Sequence, residues 1–182
     1  PTHAGCRVFA RFCRDFPYTA RTLVAPSRGC QMFTMVRYFI KTAICFLIAG
    51  LTLGTILMIR RELFGRYAAG PLLSAHTHAV LLGFGLYLIM GVALWMFPKP
   101  AKDDRRYSPG RIKTVYWLLT PATAVRFIAE IVRAGVDSHW VRWVVVIAGM
   151  IQFAAIALYF YTMWGRVRSV GSHLREAKGE RF

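Results

Sequence analysis

A chain of 182 residues fits the usual size of one domain, but its composition does not fit a soluble fold. The hydrophobic fraction is 56% while the formal net charge is +16, and the two are segregated into long uncharged runs and short basic segments. Bilayer solvation separates residues in this way. A nucleic-acid binder mixes basic and apolar residues on amphipathic faces, so no nucleic-acid partner is expected.

Residues 1–34 stand apart from the rest: they contain Arg7, Arg11, Arg14, Arg21 and Arg28 against one acid, Asp15. This segment reads either as an Arg-rich transit peptide or as an over-extended reading frame with the start at Met32 or Met35. It is expected to be a disordered or non-native tail outside the fold. Cys6, Cys13, Cys30 and Cys45 show no CxxC spacing and are read as isolated thiols rather than a zinc site or disulfide framework.

The first span covers residues 42–59, 18 residues without a formal charge. At 1.5 Å per residue it reaches roughly 27 Å, about one hydrocarbon thickness. The second run is uncharged from 67 to 98, with its helix starting near Pro71, a residue suited to the first turn. Pro98 and Pro100 stop it. The third span starts after Lys113 and reaches about Ala134, carrying Arg126 and Glu130 inside it. The fourth, residues 143–165, has no charged residue and has Trp143, Tyr159, Tyr161 and Trp164 near its ends as an interfacial belt. The expected fold class is therefore all-α, a membrane-spanning four-helix bundle over residues 35–168, followed by a basic tail, 169–182.

Orientation follows from Lys and Arg in the short connections. Lys99, Lys102, Arg105, Arg106, Arg111 and Lys113 follow the second span, and Arg166, Arg168, Arg175, Lys178 and Arg181 follow the fourth. The opposite side has Arg60, Arg61, Arg66, Arg133 and Arg142. Both termini are expected on the cytoplasmic side, in a bacterial inner membrane.

Three of the five histidines fall at one membrane level. His76 and His78 lie in the first turns of the second span and His139 precedes the fourth, whereas His3 and His173 lie in the tails. An imidazole at a membrane boundary needs water or a partner, and neutral imidazole is also a common axial ligand of haem iron. A hydrated interfacial residue is the commoner reading of any one of them. His76 and His78 point roughly 200° apart on a regular helix, so this pair alone cannot grip one iron. Gly83 and Gly85 follow His76 and His78 by seven residues, which lets a backbone or a flat macrocycle approach. Ala75, Ala79 and Gly83 also form a small-residue stripe that ordinary helix packing explains.

The run Ala75-His76-Thr77-His78-Ala79-Val80-Leu81-Leu82-Gly83-Phe84-Gly85, continuing through Met90 and Gly91 to Met96, Phe97 and Pro98, resembles the second helix of haem–copper oxidase and nitric oxide reductase catalytic subunits. It is closer still to small four-helix proteins similar to oxidase subunit I, which carry a His-x-His pair and a Phe-Pro exit. The likeness is specific over about 25 residues and weak elsewhere. It implies a b-type haem near the outer face, with His76 as axial ligand and His78 as second candidate. Full oxidases have around twelve helices, and their later haem and copper ligands have no counterpart here. Reduction of oxygen or nitric oxide by this chain alone is therefore not expected. On this resemblance the second ligand is His139, or a histidine from a second copy or another respiratory subunit.

Arg126 and Glu130 sit one turn apart on the third helix, roughly 20 Å and 26 Å from its cytoplasmic end. Intramembrane charges pair or line a working interior. Arg126, with Arg133, is a candidate to neutralise haem propionates, while a self-satisfied ion pair is the bland alternative. Gln152 is the remaining buried polar candidate, explained most simply by interhelical hydrogen bonding. Three functions follow: a haem-binding electron-transfer or accessory subunit, a cofactor-free scaffold or assembly factor, and a small transporter using Arg126 and Glu130.

Overall fold

The computed structural model describes residues 28–97, 108–136 and 138–167, with side chains from residue 34 onward. Residues 1–27 and 168–182, with His3 and His173, and the basic positions 99–106 lie outside the described residues, whereas 28–34, expected to belong to a disordered tail, form the start of the first helix. Among the described residues, four helices are long and apolar enough to cross a membrane. We label them α1 (Arg28–Phe64), α2 (Gly70–Met96), α3 (Pro109–Arg133) and α4 (His139–Met163). A single 3-10 turn, Trp164–Arg166, ends α4.

Helix α1 spans 37 residues, about twice the uncharged core of its sequence, because nothing at either end of that core breaks a helix. It stops at Gly65, which takes φ +62°, and the Gly65 amide donates back to the Arg61 carbonyl at 3.1 Å. That left-handed cap is open to glycine without steric cost. Both α2 and α3 have a proline in their first turn, where its missing N–H is not needed. Pro121 sits within α3 and removes one rung of its ladder without ending it. Threonines at 52, 77, 114, 123 and 162 donate to carbonyls four residues back, which satisfies these five hydroxyls within their own helices.

The middle of α2 departs from α geometry. Residues Ala79–Leu86 form a π-helical stretch between α-helical Gly70–His78 and Tyr87–Met96. In a regular helix His78 and Tyr87, nine residues apart, would lie about half a turn out of phase. The wider π turns take up that difference. Ala75, Ala79, Gly83 and Tyr87, spaced by four, are accordingly all buried.

The bundle has two unlike ends. At the end holding the start of α1 and the close of α4, each helix contributes to an aromatic core of Phe39, Tyr87, Tyr116 and Tyr159. Phe39 lies 5.7 Å, 5.3 Å and 6.4 Å from the ring centroids of those three tyrosines. Their hydroxyls are satisfied: Tyr159 donates to the Met90 carbonyl at 2.7 Å, Tyr87 to Thr120 at 3.2 Å, and Tyr116 shares a 2.8 Å bond with Thr42. Tyr159 is thus a core residue and not part of an interfacial belt. Trp143, Tyr161 and Trp164 are exposed, as a belt requires. Arg166 is also buried at this end. Its Nη2 donates to the Leu94 and Phe97 carbonyls at 3.2 Å and 2.8 Å, closing the C-terminus of α2.

Candidate functional site

The opposite end, near the α1–α2 and α3–α4 connections, carries the polar residues. The two histidines of α2 fall in different seams, as their angular separation requires. His76 turns toward α1 and His78 toward α3.

His76 rests on a notch in α1 made by Gly50 and Gly54. Its Nδ1 lies 2.9 Å from the Gly50 carbonyl, a group that only accepts, so Nδ1 carries the proton. That tautomer leaves Nε2 with a free lone pair. The ring sits so close to α1 that a Cβ on Gly54 would meet Cε1 at 2.5 Å. Gly50 is buried and its own missing side chain admits Val80. The ring is half-buried, at the edge of the seam.

His78 is held by a network that joins three helices. Arg126 of α3 donates from Nη2 to His78 Nε2 at 2.8 Å, from Nε to Glu130 Oε1 at 3.1 Å and from Nη1 to Gln152 Oε1 at 3.0 Å. A guanidinium has only donors, so His78 Nε2 must accept and Nδ1 must hold the proton. That Nδ1 donates to the Ser74 carbonyl at 2.9 Å and lies 3.4 Å from Glu130 Oε2. Ser74 Oγ donates to Glu130 Oε1 at 3.0 Å. Gln152 passes its amide to Thr123 at 3.0 Å, and Thr123 donates to the Leu119 carbonyl. Each interhelical bond of this kind contributes about 0.6–2 kcal/mol in a membrane.

The five residues singled out for a haem site are thereby sorted. His78 and Arg126 are brought together, but bonded to each other. Gly83 is buried against α1, where a Cβ would meet the Phe46 ring at 2.6 Å, so an aromatic side chain fills its small-residue gap. His139 is exposed in the first turn of α4 and its Nε2 accepts from Trp143 at 2.7 Å. Of the three, His76 keeps its acceptor nitrogen Nε2 without a hydrogen bond, whereas Nε2 of His78 accepts from Arg126 and Nε2 of His139 from Trp143. Among the described residues no three His, Cys, Asp or Glu side chains converge as a metal cluster. Ser74, Thr123, Gly50 and Gly54 belong to these two sites and were not marked by the sequence. The glycine pair did carry a signal, since four-residue spacing of small residues on a membrane helix marks a close approach.

No known protein family, curated protein or solved structure matches this chain.

Proposed function

We propose that this chain is a haem-binding integral membrane protein that carries electrons, or serves as an accessory subunit, in a respiratory system reducing oxygen or nitric oxide. The observation that supports it is the state of His76. A ligating histidine commonly donates its second ring N–H to a carbonyl, which fixes the tautomer and orients the free nitrogen. His76 does this with the Gly50 carbonyl, and Gly54 leaves room for the ring. The donor chemistry therefore fits one axial bond, from His76 Nε2. A b-type haem there would supply one-electron exchange between ferric and ferrous iron.

The chain's own residues then position and insulate. The Gly50 carbonyl raises the basicity of the imidazole and prevents its rotation. The α1–α2 seam keeps the ring half out of water, which sets how far charge at the iron is screened. His78 is occupied by Arg126 and His139 by Trp143, so a second axial ligand is left to another respiratory subunit or a second copy. Membrane lipid surrounds the rest. In this proposal the membrane is a bacterial inner membrane with both termini cytoplasmic, on the Lys and Arg asymmetry of the connections.

The test is the reduced-minus-oxidised absorption spectrum of detergent-purified protein. Soret and alpha bands that vanish in His76→Ala support the proposal; a protein that stays colourless when offered haem during expression overturns it. A second reading, a cofactor-free scaffold, is favoured by the occupied state of His78, Arg126 and Gly83. It predicts a colourless protein whose His76→Ala variant still assembles with its partners.

A further inference from the structure

At the end of the bundle where α1 begins, the described residues carry positive charge and no acid. Glu62 closes α1 and Glu130 lies in the last turn of α3, both at the other end. Arg37 and Lys41, one turn apart on α1, and Lys113, in the second turn of α3, are exposed here. No ion pair among the described residues includes any of the three.

These cations share one side of the α1–α3 seam. The two helices run parallel, with α2 returning between them, and touch where the rings of Tyr38 and Tyr116 stack at 5.7 Å. Thr42 adds its 2.8 Å bond to the Tyr116 hydroxyl. Val36, Phe39 and Ala43 of α1 and Ile112, Val115 and Leu119 of α3 are buried on the inner side of that contact. At about 100° per residue, Arg37 and Lys41 leave α1, and Lys113 and Trp117 leave α3, on the outer side. Tyr38 is 46% exposed there, and Trp117, edge-on to Tyr116 at 5.7 Å, is 63% exposed. The tyrosine stack puts Arg37 and Lys113 within about one helical turn of each other along the bundle axis.

Lys41 lies one turn deeper, beside the uncharged run 42–59. An ammonium at the edge of hydrocarbon must reach back to water or meet an anion. The stripe that carries Arg37 and Lys41 continues into the membrane as Ile44, Ile48 and Leu51, all exposed. Cations at the interface with apolar surface beneath them match a phospholipid, whose phosphate tops its acyl chains. A free phosphate ion would use only the charged part. A zwitterionic headgroup brings a cation of its own, which this surface repels.

We propose that the outer side of the α1–α3 seam binds one anionic phospholipid. Arg37, Lys41 and Lys113 hold the headgroup phosphate, Tyr38 and Trp117 lie against the glycerol level, and the chains follow the α1 stripe. The site is independent of haem, because His76 lies at the other end of the bundle.

The experiment is native mass spectrometry of the full-length protein, titrated with phosphatidylglycerol or with phosphatidylcholine of the same chains. The expected result is preferential retention of phosphatidylglycerol, weakened about fivefold in each of Arg37→Gln, Lys41→Gln and Lys113→Gln. Arg60→Gln and Arg66→Gln, at the other end, should bind as the parent does. Lys41→Arg and Lys113→Arg keep the charge and should retain the lipid, which separates loss of charge from loss of fold. Equal retention of the two lipids overturns the proposal, as do Gln variants at the seam that bind like the parent. So does an equal loss in the Arg60 and Arg66 variants. Displacement of the lipid by inorganic phosphate, beyond that by chloride at equal ionic strength, overturns the choice of a lipid over a free anion.

Discussion

A Cβ atom on Gly54 would stand 2.5 Å from Cε1 of His76, so the imidazole occupies the space that a side chain of α1 would need. Gly54→Ala is expected to push the ring out of its notch and break the bond from Nδ1 to the Gly50 carbonyl. Loss of such a support lowers metal affinity by about 10–100-fold. If the proposed haem is bound, the haem retained per chain after purification measures it, and retention equal to the parent protein refutes the role of the notch.

Arg126 and Glu130 make a sharper energetic test. Arg126→Leu leaves a buried carboxylate without its counter-charge, a loss on the order of 3–5 kcal/mol. Arg126→Leu combined with Glu130→Leu removes both charges and should restore most of that stability, because apolar pairs replace buried ion pairs at little cost. Unfolding in a mixed-detergent titration compares the two; equal destabilisation by the single and double variants would show that the pair is not coupled.

Arg166 is expected to matter more than its place near the end of the described chain suggests. Arg166→Ala uncovers the Leu94 and Phe97 carbonyls, bonds to a charged donor that contribute about 1.5–3 kcal/mol each at most. Arg166→Lys cannot span both carbonyls with one point charge and should recover only part of the loss. Thermal unfolding of the three proteins should rank them parent, Lys, Ala. An Ala variant as stable as the parent removes Arg166 from the list of structural residues.

Tyr159→Phe should lose about 1 kcal/mol, the value of one hydrogen bond to the Met90 carbonyl. Tyr159→Ala should lose about 3–5 kcal/mol, because a void opens beside Phe39. An interfacial tyrosine would show neither effect, and the same unfolding assay distinguishes the two positions.

The spans were legible because charge-free length is read directly from the chain, and the opposed directions of His76 and His78 followed from helical spacing alone. What was not legible depends on contacts across the bundle. Arg126 and Glu130 were recognisable as a pair one turn apart, but their partners Ser74, His78 and Gln152 come from two other helices, and no local spacing links them. Tyr159 resembled its exposed neighbours Tyr161 and Trp164 in composition and differs only in the direction it faces. Arg166 counted toward the positive charge of a tail, although its side chain folds inward onto the carbonyls of α2.

The wide stretch of α2 acts as a phase adjuster between the two halves of the molecule. Removing one residue between Ala79 and Leu86 would let the segment relax toward ordinary pitch, and everything before it would turn relative to Tyr87 by the difference between the ~100° of the lost residue and the rotation regained from the wide stretch. His76 would then leave its glycine seat and His78 would swing off Arg126, while the aromatic end kept its packing. The length of this one segment thus decides which neighbours each imidazole meets, and a deletion scan across it would separate the polar end from the aromatic end without altering any residue of either.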